Sequence, residues 1–194
     1  MSKPIPVLCI SREYIETMDS NNFSILDIPF EEAQFINRKY VDDLNPLLGF
    51  SFPQLIPTIV IKNERGEYLT YERVGSEQRL HNLMSLSIGG HVDLTDLSYP
   101  VVADLLCTAV QREIDEELGV QMHVQPDMFT HLINLPVDEV SKVHVGLVAI
   151  ISMFSGDVTE TDEIPEVVWQ TKEQLETNLD SFEAWGQYII KEVL

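Results

Sequence analysis

Basic residues are scarce in this chain: 12 Lys and Arg stand against 32 Asp and Glu, a net charge of −20. Wrapping nucleic acid, or docking on an anionic lipid surface, requires a basic patch, so neither is expected as the main partner. A phosphate-bearing ligand would have to be drawn in by metal ions and a few local cations. Cysteine is equally sparse. Cys9 and Cys107 give no disulfide framework, and a reducing cytoplasm is the default compartment. No apolar run reaches the roughly 18 residues that a membrane-spanning helix needs. The first ten residues are too short and too polar for a secretory signal. There is no internal repeat and no low-complexity linker. What remains is an ordinary globular composition, 44% hydrophobic, in 194 residues. That length suffices for one domain with a full core, or one domain and a small appendage.

The chain is organised around residues 112–120, Arg-Glu-Ile-Asp-Glu-Glu-Leu-Gly-Val. Leu106, Val110, Ile114 and Leu118 recur every four residues and predict one buried helical stripe. Glu113, Glu116 and Glu117 are spaced i, i+3, i+4, which puts them on one face, with Asp115 pointing elsewhere. Like charges at this spacing repel by a few tenths of a kcal/mol per pair, roughly. A hard divalent cation held by carboxylate oxygens removes that repulsion. The alternative is a solvated acidic face on a very acidic protein. Gly119 falls where a left-handed C-terminal cap belongs.

Upstream, Ser87-Ile88-Gly89-Gly90-His91-Val92-Asp93 reads as a strand ending in a glycine turn. With the acidic helix, this stretch resembles the signature of the Nudix hydrolase family: Gly, five residues, Glu, seven residues, then Arg-Glu-aliphatic-any-Glu-Glu-any-Gly-aliphatic. The second half is complete in Arg112, Glu113, Ile114, Glu116, Glu117, Gly119 and Val120. The first half departs twice. The family's Glu falls on Asp104, and Gly90 to Arg112 is an offset of 22 (112 − 90) against 14, so about eight residues are inserted. Residues 93–102, with Tyr99-Pro100, are the expected extra loop.

The resemblance implies an α/β fold, a Nudix-type α/β/α sandwich with a mixed sheet, carried by residues of about 57–180. It implies hydrolysis of a diphosphate linkage, in a nucleoside diphosphate linked to another moiety, with Mg²⁺ or Mn²⁺. Glu116 and Glu117 would be metal ligands. Glu113 would be a ligand or the base on the attacking water. Arg112 would orient the glutamates, with Asp104 as its partner if Asp104 replaces the family's Glu. The Gly89-Gly90 turn could offer a backbone carbonyl, from Gly89, to the metal. A further carboxylate is expected from the acidic loop 155–166, with Glu163 ahead of Glu160. Two other classes stay open: a ligand-binding regulator on the same fold, and a partner-interaction module.

Residues 1–55 read as a lead-in segment or small subdomain ahead of a main domain at 56–194. In it, Pro6–Ile10 suggests a strand and Phe30–Leu44 an amphipathic helix. It could serve as a cap, a specificity wall or a homodimer element. Thr58–Lys62 and Tyr68–Arg73 predict a hairpin, and Met84–Ile88 a strand. Val120–Val124, Phe129–Leu135, Val143–Met153 and Val167–Gln170 read as further strands. Thr171 predicts a helix N-cap, and Phe182–Leu194 a packing helix. Arg65, Arg73 and Arg79 are candidate phosphate ligands, or else partners of nearby carboxylates. His91 could touch substrate or orient its loop, whereas His144 reads as a core histidine.

Overall fold

The computed structural model describes residues 5–20, 24–73, 83–97, 101–162 and 164–194. Two compact units emerge, each drawn from three stretches of chain. The first comprises Met1–Thr58, Gly89–Gln111 and Val124–Ala149; the second comprises Ile59–Ile88, Arg112–His123 and Ile150–Leu194.

In the first unit, strand β1 (Pro6–Ile10) pairs antiparallel with β2 (Ala33–Asn37) and, through Cys9 and Gln54, with the start of β3 (Gln54–Lys62). Helix α1 (Arg12–Ile15) follows β1, and α2 (Pro46–Ser51) precedes β3 with Asn45 capping it. Strand β6 (Phe129–Ile133) pairs antiparallel with β7 (His144–Ser152). Val7, Cys9 and Val41 form a buried cluster with Ile36, Leu48 and Phe52 against it.

The helix expected over Phe30–Leu44 does not form. A 3₁₀ turn at Phe30–Glu32 leads into β2, and a π-helical turn spans Tyr40–Leu44. Five consecutive residues of β2 pair with β1, and this ladder outweighs the helical spacing of Ala33, Ile36 and Tyr40.

In the second unit, the end of β3 pairs antiparallel with β4 (Tyr68–Glu72). The hairpin turn is made by Asn63, whose Oδ1 accepts from the backbone N–H of Arg65 and of Glu67, each at 2.9 Å. Strand β4 also pairs with β5 (Met84–Ser85) and with β8 (Val168–Gln170). The strand expected over Met84–Ile88 is thus shorter, with a single further bridge from Ile88 to Ile59. Thr171 caps α4 (Lys172–Thr177) in a reciprocal box with Gln174, and the C-terminal helix α5 is Ala184–Glu192. Phe182, Ile189 and Ile190 are buried in this unit.

Helix α3 (Val102–Leu118) begins in the residues of the first unit and ends in those of the second. Its stripe Leu106, Val110, Ile114 and Leu118 is fully buried, as the spacing predicts. Gly119 ends it at φ +67, the left-handed geometry that glycine adopts without strain. The strand expected at Val120–Val124 is absent; this stretch runs as irregular chain without a ladder partner.

Candidate functional site

The last two turns of α3 carry the acidic face. Glu113 and Glu117, four residues apart, are each 8% exposed, whereas Glu116 is exposed. Burying two carboxylates on one face of a helix is costly unless charge or hydrogen bonds compensate. Arg112 supplies part of that compensation. Its Nη1 donates to Glu113 Oε1 at 2.7 Å and to Glu116 Oε2 at 3.2 Å. Arg112 thus pairs directly with two of the glutamates, while Asp104, the partner expected for it, sits exposed in the first turn of α3.

The acidic loop 155–166 is hydrogen-bonded to the end of this helix. Thr159 N–H donates to Leu118 O at 3.1 Å, and Thr161 Oγ1 to Glu117 O at 2.9 Å. Such bonds satisfy carbonyls that the helix end leaves without partners. Glu160 is exposed and accepts from Val167 N–H at 3.4 Å. Glu163 lies outside the described residues, as does Arg79. The donor set is that of a hard cation, carboxylate oxygens only. Among the described residues, no three His, Cys, Asp or Glu side chains converge as a ready-made cage. Arg112 stands between Glu113 and Glu116, so those carboxylates would turn from Arg112 towards an ion on binding it.

Arg73, just past β4, sits in the same unit beside a polar cluster that sequence reasoning missed. Its Nη2 faces Glu183 Oε1 at 3.4 Å, and its guanidinium carbon lies 6.0 Å from the Tyr71 ring centroid. Ser85 Oγ lies 2.7 Å from the same Glu183 oxygen and 2.9 Å from Ser87 O. The hydroxyl has one hydrogen, and the charged, nearer carboxylate is the stronger acceptor. Ser87 O is served instead by Tyr71 OH at 3.1 Å. Burial pushes the Tyr71 phenol up to about 12, so it remains a donor at neutral pH. Burial works against the Arg73 charge, but Tyr71, Glu183 and Glu117 together raise its pKa above the ordinary value.

The remaining candidates are placed differently. Arg65 is taken by its own turn, with Nε 2.8 Å from Glu67 Oε2. In the first unit, a Cβ at Gly89 would collide with the carbonyl oxygen of Pro57, so only glycine fits that turn. His91 packs edge-on against His144, with ring centroids 5.8 Å apart. Burial, then the charges of Arg38 and His144, pull the His91 pKa down to about 4, so the ring is neutral at pH 7. His144, expected in the core, is only half-buried, with Nδ1 2.7 Å from Val140 O. Nothing in the order of residues marks Glu183 or Ser85 as neighbours of Arg73. The one local signal is Glu183 itself, which stands at the N-cap of α5, where Ser, Thr, Asp or Asn is usual, and makes no capping bond.

Protein YmaB of Bacillus subtilis (strain 168) is 32% identical over 146 residues, 72% of this chain and 70% of that protein. The crystal structure of Tm1382, a candidate Nudix hydrolase, superposes at a TM-score of 0.69 with 26% identity, covering 94% of each chain. The MutT protein of Methanosarcina mazei Go1 shares the fold at a TM-score of 0.55 and 23% identity, covering 72% of this chain and 91% of its own. No family model matches the chain.

Proposed function

Because the chain belongs to the Nudix hydrolase family, we propose that it is a metal-dependent pyrophosphohydrolase that cleaves the diphosphate linkage of a nucleoside diphosphate joined to another moiety. The observation that carries this reading is the pair of buried carboxylates, Glu113 and Glu117, on the helix face that Arg112 organises. A diphosphate resists attack because its anionic oxygens repel a nucleophile; bound Mg²⁺ or Mn²⁺ neutralises that charge and acidifies a coordinated water.

Glu116 and Glu117 hold the ion in this proposal, and Glu113 is a further ligand or the base on the attacking water. Arg112 steers these carboxylates. The Gly89 carbonyl and Glu163 join the ligand set on the family resemblance. Arg73 and Arg79 are the cations for substrate phosphate. Arg73 is the better supported, since it keeps its charge beside Glu117 and its Nε is buried with no hydrogen bond among the described residues. His91 can offer a substrate a neutral hydrogen bond but no charge. In this reading residues 1–55 are a lead-in segment that would supply a homodimer element. Both cysteines are free and buried, in keeping with a cytoplasmic protein, and no helix among the described residues is long and apolar enough to cross a membrane.

The test is product release from nucleoside triphosphates, dinucleoside polyphosphates, nucleotide sugars, ADP-ribose, NADH and coenzyme A, each with Mg²⁺, with Mn²⁺ and with chelator. Chelator-sensitive turnover of a member with a substituted diphosphate supports the reading. Silence across the panel with intact divalent-ion binding contradicts it and favours a ligand-binding regulator on the same fold.

A further inference from the structure

We infer that Glu183 and Ser85 form a dock that aims Arg73 at a phosphate of the bound diphosphate, making Glu183 a positioning residue that acts through Arg73. This rests on the hydrolase reading above.

Three observations meet here. First, Arg73 is held but not saturated. Its contact with Glu183 spans 3.4 Å, longer than the roughly 2.7–2.9 Å of a tight charged pair, and its buried Nε has no hydrogen bond among the described residues. A buried N–H without an acceptor is disfavoured, and an anionic oxygen arriving beside it removes that penalty. Second, Glu183 Oε1 also accepts from Ser85 Oγ at 2.7 Å, so Arg73 is not its sole partner, and the single long contact from Nη2 leaves the guanidinium donors for another anion. Third, Glu183 stands at the N-cap of α5 and does not cap it. A side chain that forgoes the local role of its position, and points to a cation instead, is in place for a different reason.

The dock is stiff. Glu183 N–H donates to Met84 O at 3.2 Å, Phe182 bridges to Met84, and Arg73 N–H donates to Leu83 O at 3.0 Å. Glu183 and Arg73 are thus both stitched to β5 and its approach. Glu117 acts on the charge of Arg73 and on the Tyr71 phenol, which puts the guanidinium within electrostatic reach of the acidic helix. A diphosphate bound at that helix would find Arg73 facing it, with Glu183 keeping the long side chain from folding away.

The probe is methylenediphosphonate, whose bridging carbon prevents hydrolysis, titrated calorimetrically with saturating Mg²⁺ into the full chain. Glu183→Gln keeps the shape and the Ser85 bond but removes the charge that holds Arg73. Binding is expected to weaken about tenfold in Glu183→Gln and at least as much in Arg73→Met. The double variant should bind no more weakly than Arg73→Met alone, because Glu183 acts only through Arg73. With the panel's substrate, Glu183→Gln should raise KM more than it lowers kcat. Ser85→Ala, which leaves Glu183 less firmly held, should show the same pattern more weakly.

Additive losses in the double variant overturn the inference, as does wild-type binding by Glu183→Gln. A shifted Mg²⁺ requirement with unchanged KM also overturns it, because Glu183 would then serve the metal. If the wild type binds methylenediphosphonate with this mutant pattern yet turns nothing over, the hydrolase reading fails and the dock stands.

Discussion

Two arginines, one in each unit, are instructive side by side. Arg12 is 4% exposed and has a partner at each of its three guanidinium nitrogens. It donates to Phe50 O at 2.6 Å, to Asn134 Oδ1 at 2.7 Å and to Lys142 O at 2.6 Å, with the Phe50 ring 4.5 Å from its guanidinium. Its partners are neutral, and they tie three distant stretches of the first unit together. Among the described residues, Arg73 has one long contact with a carboxylate and a buried donor with no acceptor. The first arginine is a structural bolt. The second, in our proposal, is held in readiness for an anion. Arg12 is also the more buried of the two, and of the pair it is Arg12 that has a partner at every guanidinium nitrogen among the described residues.

The largest effect concerns the acidic helix near which Arg73 waits. Glu117→Gln is expected to cut turnover by about 10²–10³, the size of loss typical when a preorganised charged group is removed from an active site. Its melting temperature should stay at or above that of the wild type, since a buried charge is neutralised. Arg112→Ala frees Glu113 and Glu116 from their shared partner. The Mg²⁺ concentration for half-maximal turnover should rise by about 10–100-fold, as for other groups that orient metal ligands.

The two arginines then separate in a melting experiment. Arg12→Met strands three acceptors, at about 1 kcal/mol or more each. The melting temperature should fall by roughly 6–12 °C, with kcat retained where the variant is folded. Arg73→Met should leave the melting temperature within about 4 °C of wild type and act on KM instead. If both variants act on stability alone, the distinction between bolt and anion ligand collapses.

The smallest effect is a pH limb from His91. Its folded pKa of about 4 lies below the ordinary 6.5, so the unfolded chain binds the proton first. Stability should be full above pH 6.5 and fall as pH drops towards 4, where the folded ring also protonates and the loss levels off. His91→Asn should flatten that limb in melts taken across this window, by a few degrees at its acid end, roughly.

The acidic helix was legible because its information is local. A four-residue apolar repeat, three glutamates at i, i+3, i+4 and a glycine stop lie within one short segment, and each constrains the same helix. The hairpin was legible for the same reason, through the β-branched Thr58–Ile61 run and the Asn63–Gly66 turn. Where pairing partners lie far apart, sequence spacing misled. Ala33–Asn37 carries helical spacing, yet strand β1, some 27 residues earlier (33 − 6), recruits it into a sheet. Val120–Val124 has strand composition but no edge to join. The dock around Arg73 was invisible on the same grounds, because Glu183 is 110 residues away and reaches it only through the packing of β5 against the entry to α5.

The most direct test of the central claim is the binding of Mn²⁺ by the wild type and by Glu117→Gln, followed by electron paramagnetic resonance through loss of the free-ion signal. The account predicts specific binding by the wild type, displaced by Mg²⁺, and at least about tenfold weaker binding in the folded variant. Equal binding by the two proteins would contradict it, because the helix glutamates would then not be the metal's ligands.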